Sequence, residues 1–385
     1  MEQDLFAVKF KEDGELSSKL IGVSSCRFKE NFVVTGGLAN GGGNGAALQL
    51  QLLDLTTIRW KCQAFPSFPN RYYHSSVNVH GRIYLLGGFN VINDVPYSPL
   101  LVVTESRFGL KINRVDPNII EPEGSTGTFN KEWLSLGGSI AQRMGKDEDK
   151  IVLFGGTSQN NLTFSNEVIL LIPSKTVLTQ TDVKLVPIEG NKPDPRAYHT
   201  AVTINPTLLL IHGGRTKNHE VFNDFWILDL GEIVNIDPNQ VPVEAPPEKG
   251  KGGKSAKSKE PVQKPPSGYW FKLNTDAFPS VVLPRFQHTS VIASSENNDG
   301  GYSLFVFGGI NKEGSLSLDT VTRIDLHEDA TTKYSINNVQ DIQAPIVNDP
   351  INQRIISKES ISSFTSSLLT IQDTFPDNNN NNGNG

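Results

Sequence analysis

The stretch Arg196-Ala197-Tyr198-His199-Thr200-Ala201-Val202, then Leu208-Leu209-Leu210-Ile211-His212-Gly213-Gly214, then Asn223-Asp224-Phe225-Trp226-Ile227-Leu228-Asp229-Leu230 decides the fold. Two other places repeat it. Arg71-Tyr72-Tyr73-His74-Ser75-Ser76-Val77 leads to Ile83-Tyr84-Leu85-Leu86-Gly87-Gly88, and Arg285-Phe286-Gln287-His288-Thr289-Ser290-Val291 leads to Leu304-Phe305-Val306-Phe307-Gly308-Gly309. Two further copies keep only the second half: Phe32-Val33-Val34-Thr35-Gly36-Gly37 after Ser24-Ser25, and Ile151-Val152-Leu153-Phe154-Gly155-Gly156 after Ser139-Ile140-Ala141. The second glycines stand at 37, 88, 156, 214 and 309, at intervals of 51, 68, 58 and 95 residues. Such periods mark a chain of supersecondary units that bury their faces against one another.

Each unit reads as four short strands, with no sustained helical period anywhere. His-Ser-Val opens the first, the apolar run before Gly-Gly is the second, Asp-x-x-x-Leu-Asp-Leu is the third, and Trp or Tyr marks the fourth. Glycines closing a buried strand take positive φ and let a neighbouring chain come close. Asp54-Leu55-Thr56-Thr57-Ile58-Arg59-Trp60 shows the hairpin between third and fourth strands. These residues resemble the kelch family, whose repeat pairs a strand ending in Gly-Gly with a later aromatic and forms one blade of a β-propeller. The resemblance covers roughly residues 24 to 335. It implies an all-β propeller; the family's shared residues build blades rather than sites.

Composition agrees: 385 residues, 37% hydrophobic, 34 Gly and 23 Pro suit one large all-β domain rich in turns. A net charge of −6 argues against a nucleic-acid footprint or an anionic membrane surface as partner. Met1-Glu2-Gln3-Asp4 lacks the basic start and apolar core of a signal peptide, and no apolar run is long enough to span a bilayer. Cys26 falls on a first strand and Cys62 just past Trp60 on the fourth, roughly 14 Å apart at three strand spacings. That exceeds disulfide reach, so both thiols are expected reduced, as in a cytoplasmic or nuclear protein.

The expected propeller covers residues 1–374. Asp4 to Phe10 with Gly14-Glu15-Leu16 reads as the second half of a blade. Ser360 to Thr365 and Ser367 to Ile371 could supply its first half. A sixth, composite blade would then close the ring and remove exposed strand edges; five blades is the alternative. Residues 235–267 carry no aromatic residue and are rich in Pro, Lys, Gly and Glu, which reads as a disordered insertion in blade four, with strand four resuming at Tyr269-Trp270-Phe271. Without those 33 residues the interval of 95 becomes 62. The Lys cluster from Lys249 to Lys259 reads as a solvated loop, with a nuclear address or docking tract as the other reading. Residues 375–385 are a low-complexity Asn/Gly tail, expected disordered. Gly41-x-Gly43-x-x-Ala46 fits a degenerate dinucleotide fingerprint, but no helix follows to hold a phosphate, so it reads as an inter-strand loop. Blade three lacks the Arg and the His; Gly137-Gly138 is a decoy pair with Gly138 at the histidine position, and Met144 to Lys150 is a solvated hairpin.

His74, His199 and His288 recur at one phase of the repeat and are expected to hydrogen-bond backbone in the neighbouring loop, no carboxylate standing beside them at metal-ligand spacing. Trp60, Trp226 and Trp270 read as packing between blades. Arg71, Arg196 and Arg285 could read acidic partner groups or tie adjacent blades to carboxylates or carbonyls. With Arg215 and the loop residues Phe89 and Tyr97, these arginines are the candidate partner-binding residues. No Gly-x-Ser-x-Gly elbow, P-loop, His-Glu-x-x-His or paired-Cys motif occurs.

The expectation is therefore a non-catalytic interaction module: a monomeric propeller without cofactor, presenting loops to a protein partner as adaptor or scaffold. Alternatives are a propeller enzyme with a metal in its channel and the propeller subunit of a tRNA-modifying system. Copper radical oxidases resemble this fold but need a Cys–Tyr crosslink that neither Cys26 nor Cys62 matches.

Overall fold

Strands with apolar residues on both pleated faces must have both faces covered. In this protein copies of the same sheet cover one another. The computed structural model describes residues 20–39, 47–90, 99–107, 109–121, 129–231, 233–235, 267–278, 284–295, 300–315 and 320–343. Among these, no α-helix occurs, and five antiparallel meanders carry the architecture. Unit one consists of Ser24–Phe28, Asn31–Thr35, Ala47–Asp54 and Arg59–Pro69. Unit two is Ser75–Val79, Arg82–Leu86, Leu100–Ser106 and Gly109–Arg114. Unit three is Ile140–Met144, Lys150–Phe154, Val168–Pro173 and Gln180–Leu185. Unit four runs Thr200–Asn205, Leu208–His212, Phe225–Asp229 and, beyond the insertion, Gly268–Lys272. Unit five runs Thr289–Ser294, Tyr302–Phe307, Thr320–Asp329 and Lys333–Gln343.

The period-2 alternation of the second strands of units two, three and four feeds two cores at once. Ile83 and Leu85 pack toward unit one with Val33 and Leu50, while Tyr84 and Leu86 pack toward unit three with Ile151 and Leu153. Val152 and Phe154 face unit four, meeting Leu209, Ile211, Trp226 and Trp270. Leu208 and Leu210 face unit five, meeting Leu304, Val306 and Ile324. Four interlocked cores thus join five sheets in sequence. The outer flanks of the series are different: Phe32 and Val23 of unit one and Val291 and Phe307 of unit five are exposed.

Two features depart from the sequence reading. Units three and four have a fifth strand: Asp116–Ile119 pairs in parallel with Gln180–Leu185, and Ile188–Glu189 with Gly268–Lys272. The linker leaving one unit runs along the outer edge of the next, where it covers otherwise unpaired backbone. Unit five runs past the expected limit near residue 335: its last strand, Lys333–Gln343, only starts there, because Asp329 accepts bonds from the Thr331 and Thr332 amides and turns the hairpin.

The glycine pairs sit at the junctions. The second glycine of units one to four donates to a carbonyl at the entry of the next: Gly37 to Arg71, Gly88 to Leu136, Gly156 to Arg196 and Gly214 to Arg285, at 2.8 to 3.0 Å. At the first glycine the incoming chain passes so close that a Cβ has no room. One on Gly155 would lie 2.7 Å from Arg196 O and 2.7 Å from His199 Cε1. The sequence reading put Gly138 at the histidine position of unit three; the structure puts Ser139 there. A Cβ on Gly156 would meet Ser139 Cβ at 2.9 Å, as one on Gly214 would meet His199 Cβ at 2.9 Å.

Cys26 and Cys62 are free, on the first and fourth strands of unit one. No helix among the described residues is long and apolar enough to cross a membrane. The composite blade, the Gly41 to Ala46 motif, nearly all of the insertion and the Asn/Gly tail lie outside the described residues.

Gly155→Ala should therefore lower stability far more than Gly81→Ala. Gly155 has φ +70 inside the junction, whereas Gly81 has φ +67 with nothing within 4 Å of its would-be Cβ. Left-handed strain alone costs about 1–2 kcal/mol, and the added clash should carry Gly155→Ala to about 4 kcal/mol or beyond. Urea unfolding of the two variants side by side measures the difference.

Candidate functional site

Just before each first strand, one residue per unit adopts the left-handed conformation: Gly22 (φ 68), Tyr73 (φ 54), Gly138 (φ 64), Tyr198 (φ 60) and Gln287 (φ 56). The reason is a hydrogen-bond chain from unit to unit. Tyr73 N–H donates to Gly22 O, Gly138 N–H to Tyr73 O, Tyr198 N–H to Gly138 O and Gln287 N–H to Tyr198 O, at 2.7 to 2.8 Å. Bonds of this kind offset the strain of three non-glycine residues at positive φ.

These residues form the mouth of a 670 Å³ cavity lined by the starts of all five first strands. At the mouth the side chains interlock. Gln287 Nε2 donates to Tyr73 Oη at 2.7 Å, joining units five and two. Tyr73 and Tyr198 meet edge to face at 4.9 Å, and Tyr73 also contacts Tyr72 and Phe89. Burial raises the Tyr73 phenol well above its usual range. Burial also raises Tyr198, with Arg215 pulling back, to about 12. Both are neutral at physiological pH and act as hydrogen-bonding groups.

The histidines act differently from the sequence expectation. Their rings pack into space left by the glycines: Cε1 of His74, His199 and His288 would lie 2.7 to 2.8 Å from a Cβ on Gly36, Gly155 and Gly213. His74 bonds the Thr35 hydroxyl at 2.6 Å rather than backbone, neither ring nitrogen of His199 has a partner among the described residues, and His288 feels a backbone hydrogen bond to His212 of the neighbouring unit. Burial, reinforced by Arg196, lowers His199 to about 3. Burial lowers His212 to about 3 as well, and holds His74 and His288 well below the usual imidazole range. The cavity lining contains no Asp, Glu, Lys or Arg, and among the described residues no three His, Cys, Asp or Glu side chains cluster to hold a metal. Burial likewise raises the Cys26 thiol to about 11.

The candidate arginines divide. Arg71, Arg196 and Arg285 are buried and each donates to the first glycine carbonyl of its own unit: Gly87, Gly213 and Gly308. It is their backbone carbonyls, accepting from Gly37, Gly156 and Gly214, that tie adjacent units. Arg196 also forks onto Asp224 at 2.6 and 2.9 Å above the Phe222 ring. Burial pushes the Asp224 carboxyl up, and the Arg196 bonds and charge bring it below its usual value. Phe89 is buried in the mouth; Tyr97 lies outside the described residues. Arg215, directly after the glycine pair, lies at the mouth against the rings of Tyr198 (5.2 Å) and Phe286 (5.4 Å). The reading from sequence missed Tyr73, Tyr198 and Gln287. The available signal was the bulky residue preceding each repeated histidine.

No protein-family model matches the chain. It is similar to dynein regulatory complex subunit 7 of Chlamydomonas reinhardtii, at 26% identity over 117 residues; that stretch is 30% of this chain and 9% of the algal protein.

The buried histidines set an acid limit. Unfolded imidazoles gain protons below about pH 6.5, whereas His199 and His212 stay neutral in the fold down to about pH 3. The folded state therefore binds fewer protons in that window and stability falls with falling pH, by about 1.4 kcal/mol per pH unit for each group. Urea midpoints measured from pH 7 to pH 4 should decline, and His199→Gln should remove about one proton's worth of that slope.

Proposed function

We propose that the chain is a kelch-type propeller, closed by a sixth unit built from its two ends, that works as a non-catalytic protein-interaction module. The observation that carries closure is the unfinished ring of junction bonds. Among the described residues Gly309 N–H, Gln287 C=O and Gly22 N–H have no partner, although the equivalent groups at the other junctions are bonded. The exposed Val291 and Phe307 on one flank and Val23 and Phe32 on the other are the apolar faces that a sixth sheet would bury. Residues 1–19 and 344–385 supply length for it.

The interaction face is the mouth end, where the loops after the glycine pairs emerge. Leu162 is 60% exposed there, and Lys217 and Lys312 are exposed on neighbouring loops. Loops on a rigid sheet scaffold tolerate change and commonly carry recognition. Neutral phenols and depressed imidazoles supply packing and hydrogen bonds rather than proton transfer at neutral pH. Similarity to a protein named as a complex subunit supports a place within an assembly.

Crosslinking in cells should capture partners that are lost from a Leu162→Glu/Lys217→Glu/Lys312→Glu variant and kept by Lys29→Glu/Lys146→Glu at the opposite end. Partners retained by the first variant, or lost equally from both, would overturn the reading.

A further inference from the structure

We propose that Arg215 is a carboxylate reader: its guanidinium takes an Asp or Glu side chain from an acidic segment of a protein partner at the axial mouth. This rests on the interaction-module reading above and names the chemistry of its partner. The contrast with Arg196 carries the argument. Both arginines are buried, at 0% and 3% exposure, in the same unit. Arg196 receives the bidentate carboxylate of Asp224, a backbone carbonyl at 3.0 Å and the face of Phe222. Among the described residues Arg215 receives no carboxylate. Nη1 meets Nδ1 of His219 at 2.8 Å, the guanidinium also draws on the Tyr198 phenol, and Nε and Nη2 have no hydrogen-bond partner of good geometry among the described residues.

A buried charge without its counter-charge is destabilising, and a fold that keeps one has placed it for something other than stability. Arg215 is also placed for access. The backbone at Arg215 is pinned on both sides, to Ala197 by mutual N–H bonds of 3.0 and 3.1 Å and by a bridge to Val221. The Tyr198 and Phe286 rings hold its guanidinium on aromatic faces. The cover on Nη1 is His219, an exposed residue at φ 61 in the Thr216–Glu220 turn. Swinging that turn outward frees Nη1, and with Nη2 it offers the parallel pair of donors that fits a carboxylate. The adjoining cavity has no acidic lining residue, and Glu220, at the far end of the covering turn, is exposed.

The test uses the full chain with an N-acetylated, C-amidated tetraglutamate peptide as probe, the tetraglutamine peptide as control and inorganic phosphate as a third arm. The readouts are the Arg215 Nε–H resonance and the thermal midpoint. Tetraglutamate should move the resonance and raise the midpoint, tetraglutamine should do neither, and Arg215→Met should abolish both effects. Unliganded Arg215→Met should melt no lower than the wild type, whereas Arg196→Met should melt clearly lower. The proposal is overturned if Arg215→Met melts as low as Arg196→Met, if tetraglutamate binds both proteins equally, or if phosphate moves the resonance and tetraglutamate does not. If Arg215→Met still captures the cellular partners, this proposal fails while the interaction-module reading stands.

Discussion

The structure depends on a close approach that only glycine permits. At each junction the incoming chain of the next unit lies where a side chain of the preceding unit would otherwise stand, and its carbonyl accepts the second glycine's N–H. That contact fixes where the next entry segment lies. From it follows the left-handed residue, whose own bond to the previous unit adds a second link at the same place. Placing the entries in turn sets the spacing of the sheets, and the sheet spacing lets the second strands of units two, three and four feed two cores each. The histidine belongs to the same device: its imidazole fills the volume the missing Cβ leaves, at the cost of burying a titratable ring.

This explains what was legible in the sequence and what was not. The five sheets, the insertion inside unit four and the hairpin ends were readable because they rest on local signals: apolar runs, glycine pairs, and aspartates that turn the chain. Gly268–Lys272 pairing with Phe225–Asp229 across the insertion is the strongest instance, since the aromatic strand Tyr269-Trp270-Phe271 announced itself. The parallel edge strands Asp116–Ile119 and Ile188–Glu189 were hidden because pairing alone holds them there, and short linkers of mixed composition carry no period. The packing role of the histidines was missed for a related reason. An imidazole advertises hydrogen bonding, but the space it occupies is created by a glycine far away in the chain, as Gly155 does for His199.

The arginines show how repetition and individuality separate. Arg71, Arg196 and Arg285 recur with the repeat and turn inward onto their own glycine carbonyls, so their recurrence reflects construction. Arg215 occupies a position taken elsewhere by Leu38, Phe89, Thr157 and Ile310, the residues that follow the other glycine pairs. A guanidinium there is peculiar to unit four, and among the described residues no other unit supplies a carboxylate for it.

The same logic applies to unit three, where the repeat is most degraded. Gly138 stands where units two, four and five have Tyr73, Tyr198 and Gln287, and it keeps the backbone bonds of that position while removing the side chain. A Cβ there would lie 2.8 Å from Tyr198 Cδ1, so the Tyr198 ring uses the vacated space to reach Tyr73. Rings lie over both glycines, Tyr198 over Gly138 and Tyr73 over Gly22, while Phe307 to Ile310 and Leu20 to Ser24 line the cavity beside units five and one. A perfectly regular ring would present equivalent faces all round and could orient no partner. The missing side chains at Gly22 and Gly138, set beside a buried Arg215 guanidinium that no described carboxylate meets, give the mouth a direction.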